Sequence, residues 1–140
     1  MSFKKNKYEI IKQAVSKDLA IFLANSFAMQ KQVYDTCRQL KYLSPFERMN
    51  GYYEEAGDMI PYTFCQYGNV SMETLLLKCQ PLIEKVTKLN LYPAYSYTRF
   101  YKKGDELKKH KDRFSCEIST TMNLGGDNWP IYIKSTKNKT

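Results

Sequence analysis

Residues 94 to 112 read AYSYTRFYKKGDELKKHKD, and this stretch decides the predicted fold. From Ala94 to Tyr101, a Tyr or Arg at every second position alternates with Ala, Ser, Thr or Phe. A period of two is typical of a β-strand because successive side chains point to opposite faces of a sheet. Gly104 then marks a turn, and a second strand is predicted from Leu107 to Asp112. The stretch therefore predicts the beginning of an antiparallel sheet.

Two further strands are predicted after this stretch, and two helices before it. The strands are Glu117 to Leu124 and Trp129 to Lys134, which are rich in β-branched and aromatic residues. The helices run from Ser16 to about Leu40 and from Ser71 to about Leu89, with apolar residues at steps of three and four. Pro81 is expected to kink or split the second helix. Helices followed by strands predict an α+β chain.

The remaining segments complete a single predicted domain over residues 1 to 140. A short first strand is predicted from Tyr8 to Val15. Residues 41 to 70 carry three glycines, two prolines and five tyrosines, and they are predicted to form a long irregular loop, which is often functional and here suggests a lid over a substrate. Residues 1 to 90 then form a helical support region that includes this loop, and residues 91 to 140 form the strands.

Composition and charge favour a globular protein with a lysine-rich surface. Hydrophobic residues make up 43% of the 140 residues and the net charge is +8, so negatively charged partners are favoured. The lysines, however, are spread over predicted turns and termini instead of following one helical face. A solvated surface is therefore the preferred interpretation, and a nucleic-acid groove is not favoured.

The four cysteines and the hydropathy pattern indicate the cellular compartment of the protein. Cys37, Cys65, Cys79 and Cys116 have no C-x-x-C spacing, which argues against a zinc knuckle or a redox dithiol and favours buried free thiols. The first residues lack the apolar core of a signal peptide, and no run approaches the length of a membrane span. The sequence thus predicts a cytoplasmic protein without a membrane partner.

The only histidine, His110, is followed two residues later by Asp112. On a strand, residues two apart point to the same face, so both side chains could reach one ion at about 2 Å. Imidazole and carboxylate suit Fe(II) or Mn(II), and a further histidine would complete a facial triad. Taken by itself, in so basic a neighbourhood, the pair favours an ordinary solvated histidine beside a surface aspartate over a metal site.

The wider stretch from Tyr92 to Ile133 resembles the first half of the catalytic core of the prolyl 4-hydroxylase-like, 2-oxoglutarate- and Fe(II)-dependent dioxygenases. Tyr101, Gly104, His110 and Asp112 match the family pattern in order and spacing. Downstream, EISTTMNLGGDNWPIYI is similar to the next strand pair of these enzymes. The resemblance implies a double-stranded β-helix, a jelly-roll core of the cupin type, preceded by support helices.

What the resemblance implies about the site can be stated residue by residue. His110 and Asp112 would be two iron ligands, and the hydroxyl of Tyr101 would hydrogen-bond 2-oxoglutarate. Arg99, on the face of Tyr101 if the alternation holds, is a further candidate for attracting this dianion, with a salt bridge to a surface carboxylate as the alternative. Dioxygen would be the second cosubstrate, ascorbate is a candidate additional cofactor, and the substrate would be a peptidyl proline or a small molecule.

The resemblance ends before the distal histidine and the Arg or Lys that the family uses to complete its site. The expectation is therefore that the sequence is the front part of a longer enzyme. A catalytically incomplete remnant is the alternative, and a second chain or a second copy that completes the sheet is a further one. A basic binding module, in which sheet tyrosines stack on bases, is the candidate from a different class.

Overall fold

The computed structural model describes residues 3 to 134, and the chain forms a mixed α/β structure compatible with the predicted α+β class. The elements in chain order are α1 (Phe3–Asn6), α2 (Lys17–Gln39), β1 (Tyr52–Tyr53), β2 (Phe64–Tyr67), α3 (Val70–Thr87) and β3 (Tyr97–Arg99). The strands form one antiparallel sheet in the order β1-β2-β3. Within the described range, no helix combines the length and hydrophobicity that crossing a bilayer requires.

Helix α2 forms where the sequence predicts it. The Ser16 hydroxyl accepts a hydrogen bond from the Leu19 amide at 3.2 Å, which caps the first turn. Leu23, Phe27 and Tyr34 are its buried residues, and their spacing of four and seven places them on one side of the helix. The predicted boundaries, Ser16 and about Leu40, are confirmed.

Helix α3 differs from the prediction at its beginning and at Pro81. The cap is Asn69 and not Ser71, because the Asn69 side chain accepts from the Met72 amide at 3.2 Å. Pro81 lies inside the helix without splitting it. The helix ends at Thr87, and Lys88 caps it in a left-handed conformation while its amide donates to the Glu84 carbonyl at 2.8 Å.

The sheet includes two strands that the sequence did not predict. β1 and β2 lie within residues 41 to 70, which were predicted to be wholly irregular; that prediction is wrong. Tyr52 pairs with Cys65, and Cys65 pairs with Arg99 on the other side. β2 is therefore the central strand. β3 confirms the alternating pattern around Arg99, over three residues.

The hydrophobic core lies between the helices and one face of the sheet. Its buried members are Leu23, Phe27, Tyr34, Phe64 and Met72, and Phe100 and Leu124 pack against them. The Phe64 ring lies 5.3 Å from those of Phe27 and Tyr34, centroid to centroid. Gly51 allows this packing, since a Cβ there would overlap the Phe64 ring. Phe64 therefore joins β2 to α2.

The predicted strands on either side of this body do not form. Tyr8 to Val15 is irregular and ends in a turn, with Gln13 in a left-handed conformation at φ +52°. Residues 101 to 134, here called the extended segment, contain neither strand nor helix. The strands predicted from Leu107, Glu117 and Trp129 are thus wrong for the described residues, because β structure needs a hydrogen-bonding partner and the segment lies beside none. No double-stranded β-helix is present between residues 3 and 134.

Candidate functional site

The sheet face opposite the core is lined by tyrosines around a charged centre. Because side chains alternate along a strand, the neighbours of core residue Phe64 and their partners point away from the helices. We call this surface the tyrosine face; its members are Tyr52, Glu54, Cys65, Tyr97, Arg99 and Tyr101. Cys65 is fully buried beneath it.

Arg99 and Glu54 form a buried ion pair at the centre of the tyrosine face. Arg99 Nη2 donates a hydrogen bond to Glu54 Oε1, and the Tyr97 hydroxyl donates to the same oxygen at 2.7 Å. Each charged side chain is only 10% exposed. The alternative predicted for Arg99, a salt bridge to a carboxylate, is therefore present, although it is buried and not on the surface.

The environment of this network fixes its protonation states. Burial works against the charged form of Arg99, but its hydrogen bond and charge interactions with Tyr97 and its attraction to Glu54 outweigh that effect and raise the arginine pKa. Burial, together with hydrogen bonds to Cys65 and Glu54, raises the pKa of Tyr97 far above its usual range. Burial also raises the pKa of the Cys65 thiol. At neutral pH, Arg99 is thus charged while Tyr97 and Cys65 are neutral.

Tyr101 lies next to this network, on the face that the alternation predicts. The Arg99 guanidinium carbon is 5.7 Å from the centroid of the Tyr101 ring, and Trp129 covers that ring at 5.0 Å between centroids. The Nε atom of Arg99 is buried and has no hydrogen-bond partner among the described residues. Arg99 therefore carries one buried donor that the described residues leave unsatisfied.

His110 and Asp112 lie side by side, although the strand expected to align them is absent. His110 Nδ1 is 2.8 Å from the Lys108 carbonyl oxygen, and Nε2 is 3.3 Å from Asp112 Oδ1. A carbonyl can only accept, so Nδ1 must carry the proton that it donates. In a neutral ring with this proton on Nδ1, the Nε2 lone pair points toward the Asp112 carboxylate.

This donor set fits a transition-metal ion as two of its ligands. Metal-binding histidines commonly donate the other ring N–H to a backbone carbonyl, as His110 does to Lys108. Ligand atoms at about 2.1 Å from one ion are about 3 Å apart when they meet it at right angles, close to the separation found here. Between residues 3 and 134, no group of three or more histidine, cysteine, aspartate or glutamate side chains is placed to hold a metal.

A cleft lies next to the backbone that orients His110. The loop between β1 and β2, at residues 56 to 61, forms one wall, and residues 104 to 106 with Lys108 form the other. Its volume is about 400 Å³. The loop therefore approaches the segment that carries His110 and Asp112, although no hydrogen bond or ion pair joins this pair to the Arg99 network within the described part of the chain.

Glu54 is the member of this arrangement that sequence reasoning missed as a site residue. Glu54 lies in the segment predicted to be irregular, so its position opposite Arg99 was not visible. The signal that could have found it is chemical: an arginine on a predicted strand needs a carboxylate if it is buried. Comparison with known proteins gives no further constraint, since no family model, curated protein or solved structure matches the chain.

Proposed function

We propose that the chain belongs to a 2-oxoglutarate- and Fe(II)-dependent dioxygenase of the prolyl 4-hydroxylase-like type, and that it acts in the cytoplasm. The observation that carries the proposal is the geometry of His110 and Asp112, in which a ring nitrogen and a carboxylate oxygen lie 3.3 Å apart while the Lys108 carbonyl orients the ring. Within the same proposal, the extended segment forms strands of a double-stranded β-helix once partner strands are available.

The residues of the chain have separate tasks in this proposal. His110 Nε2 and Asp112 Oδ1 would hold the ion, and the Tyr101 hydroxyl would donate to 2-oxoglutarate. Arg99 would help to attract the same dianion, while Glu54 keeps the guanidinium in place. When bound, Fe(II) supplies the oxidising chemistry with 2-oxoglutarate and dioxygen, and ascorbate is a candidate reductant.

The substrate would enter the cleft between residues 56 to 61 and residues 104 to 108. Its volume of about 400 Å³ lies within the range of small-molecule sites, about 300 to 1,000 Å³. A prolyl side chain or a free small molecule satisfies this limit. The third iron ligand would come from outside the described residues.

The test measures metal binding directly on the full 140-residue chain. Mn(II) is titrated into labelled protein while paramagnetic broadening of amide signals is followed by NMR, a readout that detects weak sites. We expect broadening centred on residues 108 to 112, and at least a tenfold loss of affinity in Asp112→Asn and His110→Gln. Glu106→Gln, which removes an exposed carboxylate nearby, is the matched control and should bind as the wild type does.

Two results would count against the proposal. Broadening that spreads evenly over surface carboxylates, or that survives both substitutions, would show that the pair is not a metal site. Binding of single-stranded nucleic acid without metal, weakening steeply with salt, would favour the basic binding module instead. The stacked pair Tyr67 and Tyr95, 4.6 Å between ring centroids, already occupies part of the aromatic surface that such a module needs.

A further inference from the structure

A second cavity lies between the C-terminal half of α2, the loop that follows this helix, and β1. It has a volume of about 270 Å³ and shares no lining residue with the cleft near His110. This volume is just below the range of about 300 to 1,000 Å³ that small-molecule sites occupy, so the cavity suits a compact ligand. The proposed oxygenase function gives this cavity no role.

Tyr34 brings an unused hydroxyl to the cavity. The residue is only 7% exposed, and its ring packs on Phe64 at 5.3 Å between centroids. Buried tyrosine hydroxyls usually have a hydrogen-bond partner, as Tyr53 and Tyr97 do, but that of Tyr34 has none among the described residues. Since Arg99 Nε is the one such unpartnered atom that is fully buried, the Tyr34 hydroxyl reaches accessible space at the cavity that the residue lines.

Arg38 adds a positive charge one helical turn after Tyr34. Residues four apart on a helix lie on the same face, and both residues line the cavity. The other arginine of the lining, Arg48, pairs with Glu55 at 3.1 Å, whereas the Arg38 side chain has no ion pair or hydrogen bond among the described residues. A guanidinium group presents N–H donors in one plane, which matches a carboxylate. Tyr34 and Arg38 therefore offer a neutral and a charged donor to the same space.

The three carboxylates that line the cavity already have partners within the protein. Asp35 accepts hydrogen bonds from Lys31 Nζ at 2.7 Å and from the Tyr53 hydroxyl at 2.8 Å. Glu47 accepts from two backbone amides of its own loop, and Glu55 is paired with an arginine. These carboxylates are therefore not available to a cation, and the charged group that remains for a ligand is a guanidinium.

The aromatic walls also disfavour a positively charged ligand. Tyrosine rings attract cations over their faces, and the protein already places its own cations there. The Arg48 guanidinium carbon lies 4.6 Å from the centroid of the Tyr52 ring, and Lys31 Nζ lies 5.6 Å from that of Tyr53. Together with Pro45, these rings give the cavity apolar surface for the uncharged body of a ligand.

The position of the cavity on α2 favours an anion with a single charge. The helix ends at Gln39, so Arg38 and the cavity lie near its C-terminal end, where the helix dipole contributes partial negative charge. Sites for phosphate groups typically use the opposite end of a helix, where backbone amides point at the ligand. A carboxylate therefore fits this position better than a phosphate dianion.

We propose that this cavity binds a small monocarboxylic acid with a flat apolar body. Its carboxylate accepts hydrogen bonds from the Tyr34 hydroxyl and the Arg38 guanidinium, and its body packs against Tyr52 and Pro45. The inference does not depend on the proposed oxygenase activity.

The test titrates benzoate into the isotope-labelled full-length chain and follows the amide signals by NMR. We expect saturable shifts centred on residues 34 to 38 and 45 to 55. Arg38→Gln should weaken binding at least tenfold, because it removes the charged donor. Tyr34→Phe keeps the packed ring and removes only the hydroxyl, so it should weaken binding about threefold or more. Lys17→Gln is the matched control, since it removes an exposed charge of the same helix outside the cavity, and its affinity should be unchanged.

Other probes distinguish the proposed ligand class from the alternatives. Benzyl alcohol, which has the ring but no charge, should bind at least tenfold more weakly than benzoate. Inorganic phosphate that bound as tightly as benzoate and shifted the same amides would overturn the choice of a monocarboxylic acid.

Three results with benzoate itself would overturn the site. They are the absence of saturable shifts up to about 20 mM, shifts spread over the lysine-rich surface, and unchanged binding in Arg38→Gln. Arg38 and Lys17 are exposed, and Tyr34→Phe retains the packed ring, so the circular dichroism of all three variants should match the wild type.

Discussion

The body of the molecule, residues 16 to 100, and the extended segment, residues 101 to 134, are organised by different interactions. In the body, two capped helices pack on a three-stranded sheet, and Phe64 is only 1% exposed among aromatic neighbours. In the extended segment, backbone bonds are few and its contacts to the body include those of Leu124 and Trp129. The candidate metal pair lies in the second region.

The residues that stabilise the fold and the candidate metal-binding residues therefore lie in different regions of the chain. The body supplies the fixed elements, including the Arg99 and Glu54 ion pair, while His110 and Asp112 are oriented by local contacts alone. A site that depends on local contacts needs outside support to hold its geometry. Partner strands paired with this segment would provide that support.

The comparison is tested most strongly by removing one aromatic ring from each region. Phe64→Ala should lower the free energy of unfolding by about 3 to 5 kcal/mol, because it leaves a cavity between β2 and α2. Phe114→Ala, in the extended segment, should change it by less than about 0.5 kcal/mol. Urea denaturation followed by circular dichroism measures both. Similar losses in the two variants would mean that the extended segment is packed in solution as the body is.

The two ion pairs give the next largest contrast. Glu54→Gln leaves the buried Arg99 charge without its carboxylate, and we expect a loss of about 3 kcal/mol in unfolding free energy. Asp112→Asn breaks the exposed pair with His110 and should cost less than about 1 kcal/mol.

A double-mutant cycle checks the assignment of the buried pair. Adding Arg99→Met to Glu54→Gln should cost less than the sum of the single changes, since the unpaired charge is gone. Additive costs would show that the two side chains do not interact in solution.

The sequence predicted those features of the fold that depend on nearby residues. Ser16 marks the start of α2 because its hydroxyl caps the helix, and the alternation around Arg99 marks β3 because neighbouring side chains reveal the two faces. Arg99 and Tyr101 share a face as predicted. Each of these features is encoded within a few positions of the residue concerned.

The features that the sequence did not predict depend on distant partners. β1 and β2 are two and four residues long, and they exist because Tyr52 meets Cys65 across the sheet. Glu54 and Arg99 are 45 residues apart, so no local pattern joins them. The strands predicted after residue 101 fail for the complementary reason, since their composition favours β structure but none of them pairs with a strand among residues 3 to 134. The side-by-side placement of His110 and Asp112 was predicted, but for a strand that is absent.

The smallest expected effect concerns the turn where the extended segment begins. Lys102 Nζ lies 2.7 Å from Asp105 Oδ1, and its amide donates to the same carboxylate. Burial alone would raise the pKa of Asp105, but these bonds to Lys102 outweigh it and lower the pKa. A carboxylate whose pKa is lower in the folded state stabilises the fold above its unfolded pKa of about 3.9, and this contribution disappears as the pH falls through the folded value.

The Lys102 side chain is 55% exposed. At neutral pH, Asp105→Asn should therefore lower the free energy of unfolding by no more than about 0.5 kcal/mol. That difference should vanish in acid and shrink in high salt, because exposed charges are screened. Thermal unfolding of both proteins from neutral pH to about pH 2 measures it, with Glu106→Gln as the control for removing a nearby charge that makes no ion pair among the described residues. A difference that persisted at the lowest pH would mean that Asp105 acts through packing or backbone geometry. The turn at residues 102 to 105 would then be stabilised by packing, as the body is, and the boundary between the two regions would lie after this turn.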